Sequence, residues 1–173
     1  MVEHRKSEWY GECAIISDKY NDYVQIKYKC NGTGTLYDYS LFPGINLIFM
    51  DFNCSDIFHE PIPNKNIIEI RHYQKGRVEF ELRNNKVFHM KEGELCINAL
   101  ANVPAAYSFP FGYSVGLSCV IDKDSIDAKT KQIFSYYNID VLNLGQELEI
   151  EKKWFLCRTP QRLLHIFDEL YAA

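Results

Sequence analysis

Residues 71–98, RHYQKGRVEFELRNNKVFHMKEGELCIN, carry the clearest strand pattern in the chain and decide the predicted fold. The segment RVEFELR (77–83) alternates charged and apolar residues with a period of two, which indicates a strand with one buried face. The runs QKG (74–76), NN (84–85) and KEG (91–93) are typical of turns, because Gly and Asn accept the left-handed backbone that tight turns need. The stretch therefore predicts antiparallel strands joined by short turns.

The alternation leaves open which face of the strand at 77–83 lines the interior. One face carries Val78, Phe80 and Leu82, and the other carries Arg77, Glu79 and Glu81. If the apolar residues point inward, the interior is apolar. If they point toward covering helices, the interior is charged and a polar ligand is favoured.

Similar patterns predict further strands at 21–30, 45–52, 66–73, 86–90, 94–100, 105–110 and 113–122. The glycines of NGTGT (31–35) indicate a loop. The stretch at 45–52 is apolar on both faces, as in a strand that is covered on both sides. Many short strands with short connections predict a barrel or a sandwich.

The last third of the chain changes to a helical period. Helices are predicted at 124–137, with Asp124 or Ser125 as N-cap, and at 159–173, with a short helical turn at 140–145 between them.

The final helix has the clearest sequence signals for its N-terminus. Thr159 suits the N-cap, and Pro160 suits the first helical position, where its missing N–H costs no hydrogen bond. An apolar stripe is formed by Leu163, Ile166, Phe167 and Leu170. This helix is expected to pack on the outside or the end of the β structure.

The composition excludes several classes of protein. The 173 residues, 47% of them hydrophobic, suffice for the core of one domain. The net charge of −4 and the lack of a basic run argue against direct contact with nucleic acid. The start of the chain lacks the apolar core of a signal peptide, and no stretch approaches the roughly 20 apolar residues of a membrane span. We therefore expect a cytoplasmic protein with no membrane partner.

Six cysteines are scattered along the chain without a C-x-x-C pair: Cys13, Cys30, Cys54, Cys96, Cys119 and Cys157. Structural zinc sites need closely spaced ligand pairs. The cysteines are therefore expected to be reduced and mostly structural, since free cysteine is often buried.

A weakened metal motif begins at His72. His72, Gln74 and Glu79 resemble the H-x-H-x4-E motif of metal-binding cupin barrels, with Gln in place of the second His. In the later hairpin PFGYSVG (110–116), Val115 stands where a last His ligand is expected. Valine has no lone pair to offer a metal. We therefore expect no metal and no cofactor, with His72, Gln74 and Glu79 as the weaker alternative.

No catalytic motif accompanies these residues. The sequence lacks G-x-S-x-G, a P-loop and G-x-G-x-x-G. Glu79 and Glu81 share a strand face that could hold an acid and a base, but Arg77 shares it too and favours a charged surface. We expect a binding module rather than an enzyme, with a cavity for a small molecule. The candidate lining residues are Ile70, His72, Tyr73, Tyr107, Phe109 and Tyr113.

Four stretches together resemble the N-terminal half of AraC-type transcriptional regulators, in the bacterial branch common among Gram-positive anaerobes. They are YSLFPGINLIFMDF (39–52), IEIRHYQKGRVEFEL (68–82), MKEGELCIN (90–98) and FPFGYSVGLSCVID (109–122). HIFDELY (165–171) resembles the helix that closes this half. The likeness runs from about Gly34 to Tyr171 and is specific as a set.

The resemblance implies a mainly β fold with α: a cupin-like double-stranded β-helix (jelly-roll) barrel followed by C-terminal helices. It implies an N-terminal arm and first strand at 1–33, the barrel at 34–122 and closing helices at 123–173. Such a domain binds a small-molecule effector, such as a sugar, a fatty acid or another metabolite, and forms a homodimer. DNA would be contacted only through a C-terminal helix-turn-helix domain that lies outside this chain, which is then a fragment.

Two other functions stay open on the sequence. One is a small metal-dependent cupin enzyme, such as an isomerase or a dioxygenase, with His72, Gln74 and Glu79 around an ion. The other is a stand-alone carbohydrate-binding cupin, which would share the barrel but lack the DNA-binding domain.

Overall fold

The computed structural model describes residues 10–11, 14–58, 62–82, 86–102 and 104–172. The turn predicted at 84–85 lies outside the described residues, as does Cys13.

The described chain is mainly β with two helices, as the sequence predicts. The strands are β1 Ala14–Lys19, β2 Val24–Tyr28, β3 Gly32–Phe42, β4 Ile45–Cys54, β5 Asp56–Ile57, β6 Ile67–Leu82, β7 Val87–Lys91, β8 Glu94–Ala99, β9 Pro104–Ser108, β10 Ser114–Asp122 and β11 Phe155–Arg158. The helices are α1 Ala128–Tyr136 and α2 Gln161–Ala172, and a 3-10 turn spans Leu100–Asn102.

The strands form two antiparallel sheets that share one long strand. The first sheet has the order β1-β2-β3-β4-β10-β6-β8-β11. In the second, β7 and β9 flank the end of β6, and β5 pairs with β9. The pairings in the described part of the chain leave β1 and β11 as edges of the first sheet, so they show an open two-sheet arrangement rather than a closed barrel.

The turn predicted at 74–76 is wrong, because β6 continues through it with a β-bulge. Tyr73 and Lys75 pair with consecutive residues of β10, so Gln74 is left over on β6. An extra residue of this kind bends a strand and increases its twist. The bend lets the first half of β6 belong to the first sheet and the second half to the second.

Gly76 completes the bulge and has to be glycine. Its φ is +87°, and a Cβ at this position would lie 2.4 Å from the carbonyl oxygen of Tyr113. Both the backbone angle and the close approach exclude a side chain without rearrangement.

The bulge changes which residues of β6 face the space between the sheets. Before it, the odd-numbered residues Glu69, Arg71 and Tyr73 are buried there. After the bulge, the even-numbered residues Val78 and Phe80 are buried between the sheets. The apolar and charged faces predicted for 77–83 are therefore confirmed, but the face that holds Glu69 and Arg71 brings charge into the interior.

The main core lies between the two sheets. Its fully buried side chains include Ile26, Leu36, Ile48, Met50 and Phe52 from the first sheet and Val78, Phe80, Met90 and Tyr107 from the second. Burial of each large apolar side chain contributes about 1.5–3 kcal/mol. This core holds the two sheets face to face.

The outer face of the first sheet is covered by the segment that follows β10 and by α2. A second apolar cluster joins Ile68, Ala99 and Ile121 of the sheet to Ile126, Val141 and Ile150 of the covering segment. The segment 140–145 is built of turns. No described residue of α2 is fully buried, so its apolar stripe is only partly covered.

Several strand boundaries differ from the prediction. The loop predicted at 31–35 is the start of β3, and the region 1–33 holds β1 and β2 as well. Gly34 lies within the strand because its missing side chain makes room for Phe52, whose Cδ1 would be 3.0 Å from a Cβ there. The edge strand β11 has no counterpart in the prediction.

The cap predicted for the first helix is also wrong. Asp127 is the N-cap of α1, and its carboxylate accepts the Thr130 N–H at 2.7 Å. Asp124 accepts the side-chain amide of Asn66 at 3.1 Å instead, which fixes it to the sheet.

Thr159 does not cap the final helix, which begins at Gln161. Its backbone N–H donates to the Gly93 carbonyl at 2.9 Å, and its buried Oγ1 makes no hydrogen bond within the described residues. Thr159 therefore belongs to the end of the sheet. Among the described residues, no helix has the length and apolar content that a membrane crossing requires.

Candidate functional site

A buried ion pair lies between the two sheets on β6. The side chains of Glu69 and Arg71 are only 2% and 4% exposed. Nη2 of Arg71 donates to both carboxylate oxygens at 2.7 and 2.8 Å, and Nε donates to Oε1 at 2.9 Å. Removing two charges from water is costly unless the contact geometry is good. The bidentate contact meets that condition, and it marks this part of the interior as a candidate site.

Polar residues of the neighbouring strands flank the pair. Ser118 lies opposite Arg71 on β10, and its hydroxyl donates to Oε1 of Glu69 at 2.7 Å. On the other side, β8 places Cys96 opposite Arg71 and Asn98 opposite Glu69. The Cys96 sulfur lies 3.9 Å from the Asn98 side-chain oxygen. Three adjacent strands thus bring polar groups together on the inner face of the sheet.

Aromatic rings of the second sheet lie over the guanidinium. The Cζ atom of Arg71 is 5.2 Å from the ring centroid of Phe80 and 5.4 Å from that of Tyr107, distances at which a cation is attracted to a ring face. Nη1 of Arg71 is buried without a hydrogen-bond partner in the described part of the chain. A buried donor left unpaired costs about 1–3 kcal/mol. The Tyr73 and Tyr107 hydroxyls act on the guanidinium through hydrogen bonds, and Nη1 is the nitrogen atom left without a partner of good geometry in the described chain.

The guanidinium, hydroxyl and thiol groups of the cluster have pKa values far from neutral pH. Burial lowers the pKa of Arg71, but the Glu69 carboxylate outweighs burial and holds that pKa well above its usual range. Burial raises the pKa of the Tyr73 and Tyr107 hydroxyls, and it raises the pKa of the Cys96 thiol to about 12. At neutral pH the guanidinium is charged, while the hydroxyls and the thiol are neutral. These groups suit hydrogen bonding and stacking better than nucleophilic or proton-transfer chemistry.

Three of the six predicted lining residues lie in the main core. Tyr73 and Tyr107 are buried beside Arg71 and affect its pKa. Phe109 is also buried, and it stacks on Phe52 with ring centroids 5.0 Å apart. Tyr73 and Tyr107 are thus the predicted residues that meet at the buried ion pair.

The other three lie elsewhere. Ile70 packs against the apolar cluster on the outer face of the first sheet, and His72 lies on the same face. Tyr113 is 43% exposed in the connection before β10. The six residues therefore do not line one common cavity, and ligand binding by any of them stays a prediction.

His72 connects the sheet to α2. Its ring stacks on Phe167 with centroids 4.1 Å apart and planes 6° apart. The Tyr171 hydroxyl donates to the His72 carbonyl at 3.0 Å, and its oxygen lies 3.1 Å from Nδ1. With its hydrogen donated to the carbonyl, the Tyr171 oxygen can accept a hydrogen bond from a protonated Nδ1. Burial lowers the pKa of His72, against an opposing effect of Asp168, so the ring is neutral at pH 7.

The residues of the weaker metal alternative point to different partners. His72 faces α2, Gln74 is the extra residue of the bulge, and the Glu79 carboxylate accepts from Arg77 at 2.8 Å. Arg77 and Glu79 are neighbours on one strand rather than a cross-strand pair. The described residues contain no group of three or more His, Cys, Asp or Glu side chains placed to hold a metal ion.

Sequence reasoning missed Glu69, Arg71 and Ser118. A clue was present in IIEIRHY (67–73), where two opposite charges two residues apart interrupt an apolar strand. The isolated glycine of QKG was the second clue, because glycine inside a strand pattern often marks a bulge. Together they indicate that the charged face turns inward before position 74.

No protein-family model and no curated protein matches this sequence. Solved structures whose chain fold is similar over part of this chain include an HTH_3-family transcriptional regulator from Vibrio cholerae. It has 16% identity, 50% of each chain is covered, and the TM-score is 0.39. ToxT from Vibrio cholerae O395 has 11% identity over 74% of this chain and 46% of its own, with a TM-score of 0.42. The nucleoside dehydratase Pac13 has 16% identity over 61% of this chain and 83% of its own, with a TM-score of 0.37.

The chain spans half or less of the first two structures it matches, at 50% and 37% of their lengths. A TM-score below 0.5 at such identity assigns neither a family nor an activity. The matched structures include regulators and an enzyme, so they favour neither function.

Proposed function

We propose that this chain is the ligand-sensing and dimerisation domain of an AraC-type transcription regulator, built on a cupin-like fold of two open sheets. In this proposal it acts in the cytoplasm, is not an enzyme, and controls a helix-turn-helix domain outside these residues. Support comes from the four stretches that resemble the family, from the two-sheet arrangement, and from a polar cluster without catalytic groups in its centre.

One observation carries the ligand-binding part of the proposal. Nη1 of Arg71 is a buried, charged donor without a partner in the described chain, beside the rings of Phe80 and Tyr107. A buried unsatisfied group calls for a specific explanation. A small effector that accepts a hydrogen bond from Nη1 and stacks on a ring would provide one.

The charge of the cluster narrows the effector class. Glu69 already neutralises Arg71, so the cluster has no excess positive charge to balance an anion. A neutral molecule with hydroxyl or carbonyl groups therefore suits the site better than a free carboxylic acid. Such an effector regulates only if it binds one arrangement of the protein better than another.

The dimerisation part of the proposal concerns α2. None of its described residues is fully buried, and Ile166 in its apolar stripe is 44% exposed. A second copy of the chain would cover this stripe. Apolar burial of this kind is the main driving force of association.

A thermal-shift screen tests the proposal with neutral sugars, nucleosides and fatty acids as probes. A ligand that binds only the folded state raises the melting temperature, and the stabilisation grows with the logarithm of its concentration relative to Kd. We expect a neutral polar probe to raise it in the wild type and much less in Ser118→Ala, which removes a hydroxyl from the cluster. The matched control is Ser114→Ala, another buried serine on the same face of β10.

Sedimentation of the same samples is expected to show a dimer that Ile166→Glu converts to a monomer. The proposal is wrong if active probes stabilise the two serine variants equally and the wild type sediments as a monomer.

A further inference from the structure

Two cysteines far apart in sequence lie next to each other at one end of the first sheet. Cys54 ends β4 and pairs with Gly32 at the start of β3. Cys30 precedes that glycine by two residues, in the short connection from β2. A Cβ built on Gly34 would be 3.4 Å from the Cys30 sulfur and 3.0 Å from Phe52, so the sulfur lies on the inner face.

The side chains of Cys30 and Cys54 both lie on the inner face of the first sheet. Phe52 and Cys54 are two residues apart on β4 and share the inner face. Both cysteines pack in the same apolar cluster, and neither is in a disulfide here.

The electrostatics of Cys54 agree with this contact. The pKa of the Cys54 thiol is raised to about 12, first by burial, then by a hydrogen bond with Cys30 and by the negative charge that Cys30 carries as a thiolate. This effect requires the two thiols to be close to each other, in agreement with their positions on the sheet.

We propose that Cys30 and Cys54 form a modification site at which a peroxide oxidises the two thiols to a disulfide. Cys30 is half-buried and Cys54 is almost completely buried, so Cys30 meets the oxidant first. This proposal does not depend on the function proposed above.

The reaction proceeds in two steps. The Cys30 thiolate attacks hydrogen peroxide, the O–O bond breaks, hydroxide leaves, and a sulfenic acid forms on Cys30. The Cys54 sulfur then attacks the Cys30 sulfur, its proton joins the departing hydroxyl as water, and the S–S bond forms. In total two thiols lose two protons and two electrons, and one hydrogen peroxide becomes two waters.

The other described cysteines do not offer such a pair. In the strand pairings Cys96 lies opposite Arg71 and Leu156, and Cys119 lies opposite Leu47 and Ile70, so neither is paired with another described cysteine. Cys157 is half-buried like Cys30, but it lies one register position from Cys96 across β8 and β11, on the opposite face of the sheet. Cys157 is therefore the matched control for accessibility without a facing thiol.

Peptide mapping tests the proposal on the full chain. The protein is treated with a small excess of hydrogen peroxide, blocked with N-ethylmaleimide and digested with trypsin. The sequence has no Lys or Arg between 30 and 64, so both cysteines fall in the tryptic peptide 30–65. We expect this peptide to be two hydrogens lighter than the reduced form and not alkylated. Chymotrypsin should cut it at Tyr37 or Tyr39 without separating the pieces until a reductant is added.

Two variants and one condition complete the test. Cys30→Ser should leave Cys54 free for alkylation after unfolding, whereas Cys157→Ser should leave the 30–54 bond unchanged. In urea the preference for this pair should disappear, because it depends on the fold. The proposal is overturned if Cys30 ends as a free thiol, as a sulfinic acid, or bonded to a different cysteine in the folded wild type.

Discussion

Arg71 keeps a full positive charge in a place that water hardly reaches. Its guanidinium is held by Glu69 on the same strand and by the aromatic rings of the opposite sheet. The charge is tolerable only while the carboxylate is present, because an uncompensated buried charge is far more costly than a buried pair. The stability of the interior therefore depends on one acidic residue.

Glu69→Gln removes the carboxylate charge with little change of shape. We expect it to lower the free energy of unfolding by about 3–5 kcal/mol, the usual cost of breaking a buried ion pair. Urea denaturation followed by circular dichroism measures this loss.

Glu79→Gln is the matched control, because Glu79 forms the same two-residue pairing with Arg77 on the same strand. That pair is 31% and 38% exposed, so its loss should cost no more than about 1 kcal/mol. Similar small losses in both variants would show that the Arg71 charge is not confined to the interior.

At this scale the sequence predicts residue character better than residue position. Val78 and Phe80 are buried as the alternation requires, and Tyr73 and Tyr107 lie near a polar centre. His72 was expected in the interior and lies under α2 instead. Alternation gives two faces but not which face is inside, and that choice depends on packing between residues distant in sequence.

Among the elements, β6 has the largest effect on the architecture. Its bulge at Gln74 lets one strand serve both sheets and turns Glu69 and Arg71 inward while Phe80 remains inward as well. The conformation of Gly76 keeps the bulge in place. A side chain there would strain the backbone and collide with the carbonyl of Tyr113.

Gly76→Ala should therefore destabilise the protein by more than the about 1–2 kcal/mol that a left-handed backbone costs a residue with a Cβ. The control is Gly93→Ala, where φ is +76° but no atom lies within 4 Å of the added Cβ. The control should show only the backbone cost, and chemical denaturation compares the two. Equal losses would mean that the close approach at Tyr113 adds no strain.

The sequence predicts the elements in type more reliably than in extent. Most strands and both helices occur where the periodicity places them. The sequence predicts a turn where the bulge lies and a loop where β3 begins. Glycine is typical of turns and loops, and it also occurs at bulges and within strands. The sequence does not predict edge strand β11, because its four residues, FLCR, are too few to show a period of two. The cap of α1 moved to Asp127 because Asp124 bonds to Asn66, a contact that local sequence does not contain.

At the scale of the whole molecule, the attachment of α2 depends on a neutral histidine. His72 is 4% exposed and burial lowers its pKa, whereas in the unfolded chain its pKa returns to about 6.5. Below that pH the unfolded chain binds a proton that the folded protein resists. Stability is therefore complete above pH 6.5 and falls as the pH drops through that value.

We expect the free energy of unfolding to decrease between pH 7.5 and pH 5.5, with a contribution from His72 of at most about 1.4 kcal/mol per pH unit. His72→Phe keeps an aromatic ring against Phe167 and should reduce this slope. His165→Gln, at an exposed position of the same helix, should leave it unchanged. Denaturation curves across this pH range compare the three proteins, and an unaltered slope in His72→Phe contradicts the assignment.

Because β6 passes through both sheets, a continuous backbone joins them, and complete separation would require β6 to lose its pairing with one of them. A row of paired residues runs from Arg71 to Cys96 and on to Leu156 in the outermost strand. That strand ends only two residues before α2 starts. Under the proposed function, this row of residues is the path along which a ligand beside Arg71 would act on the position of the terminal helix.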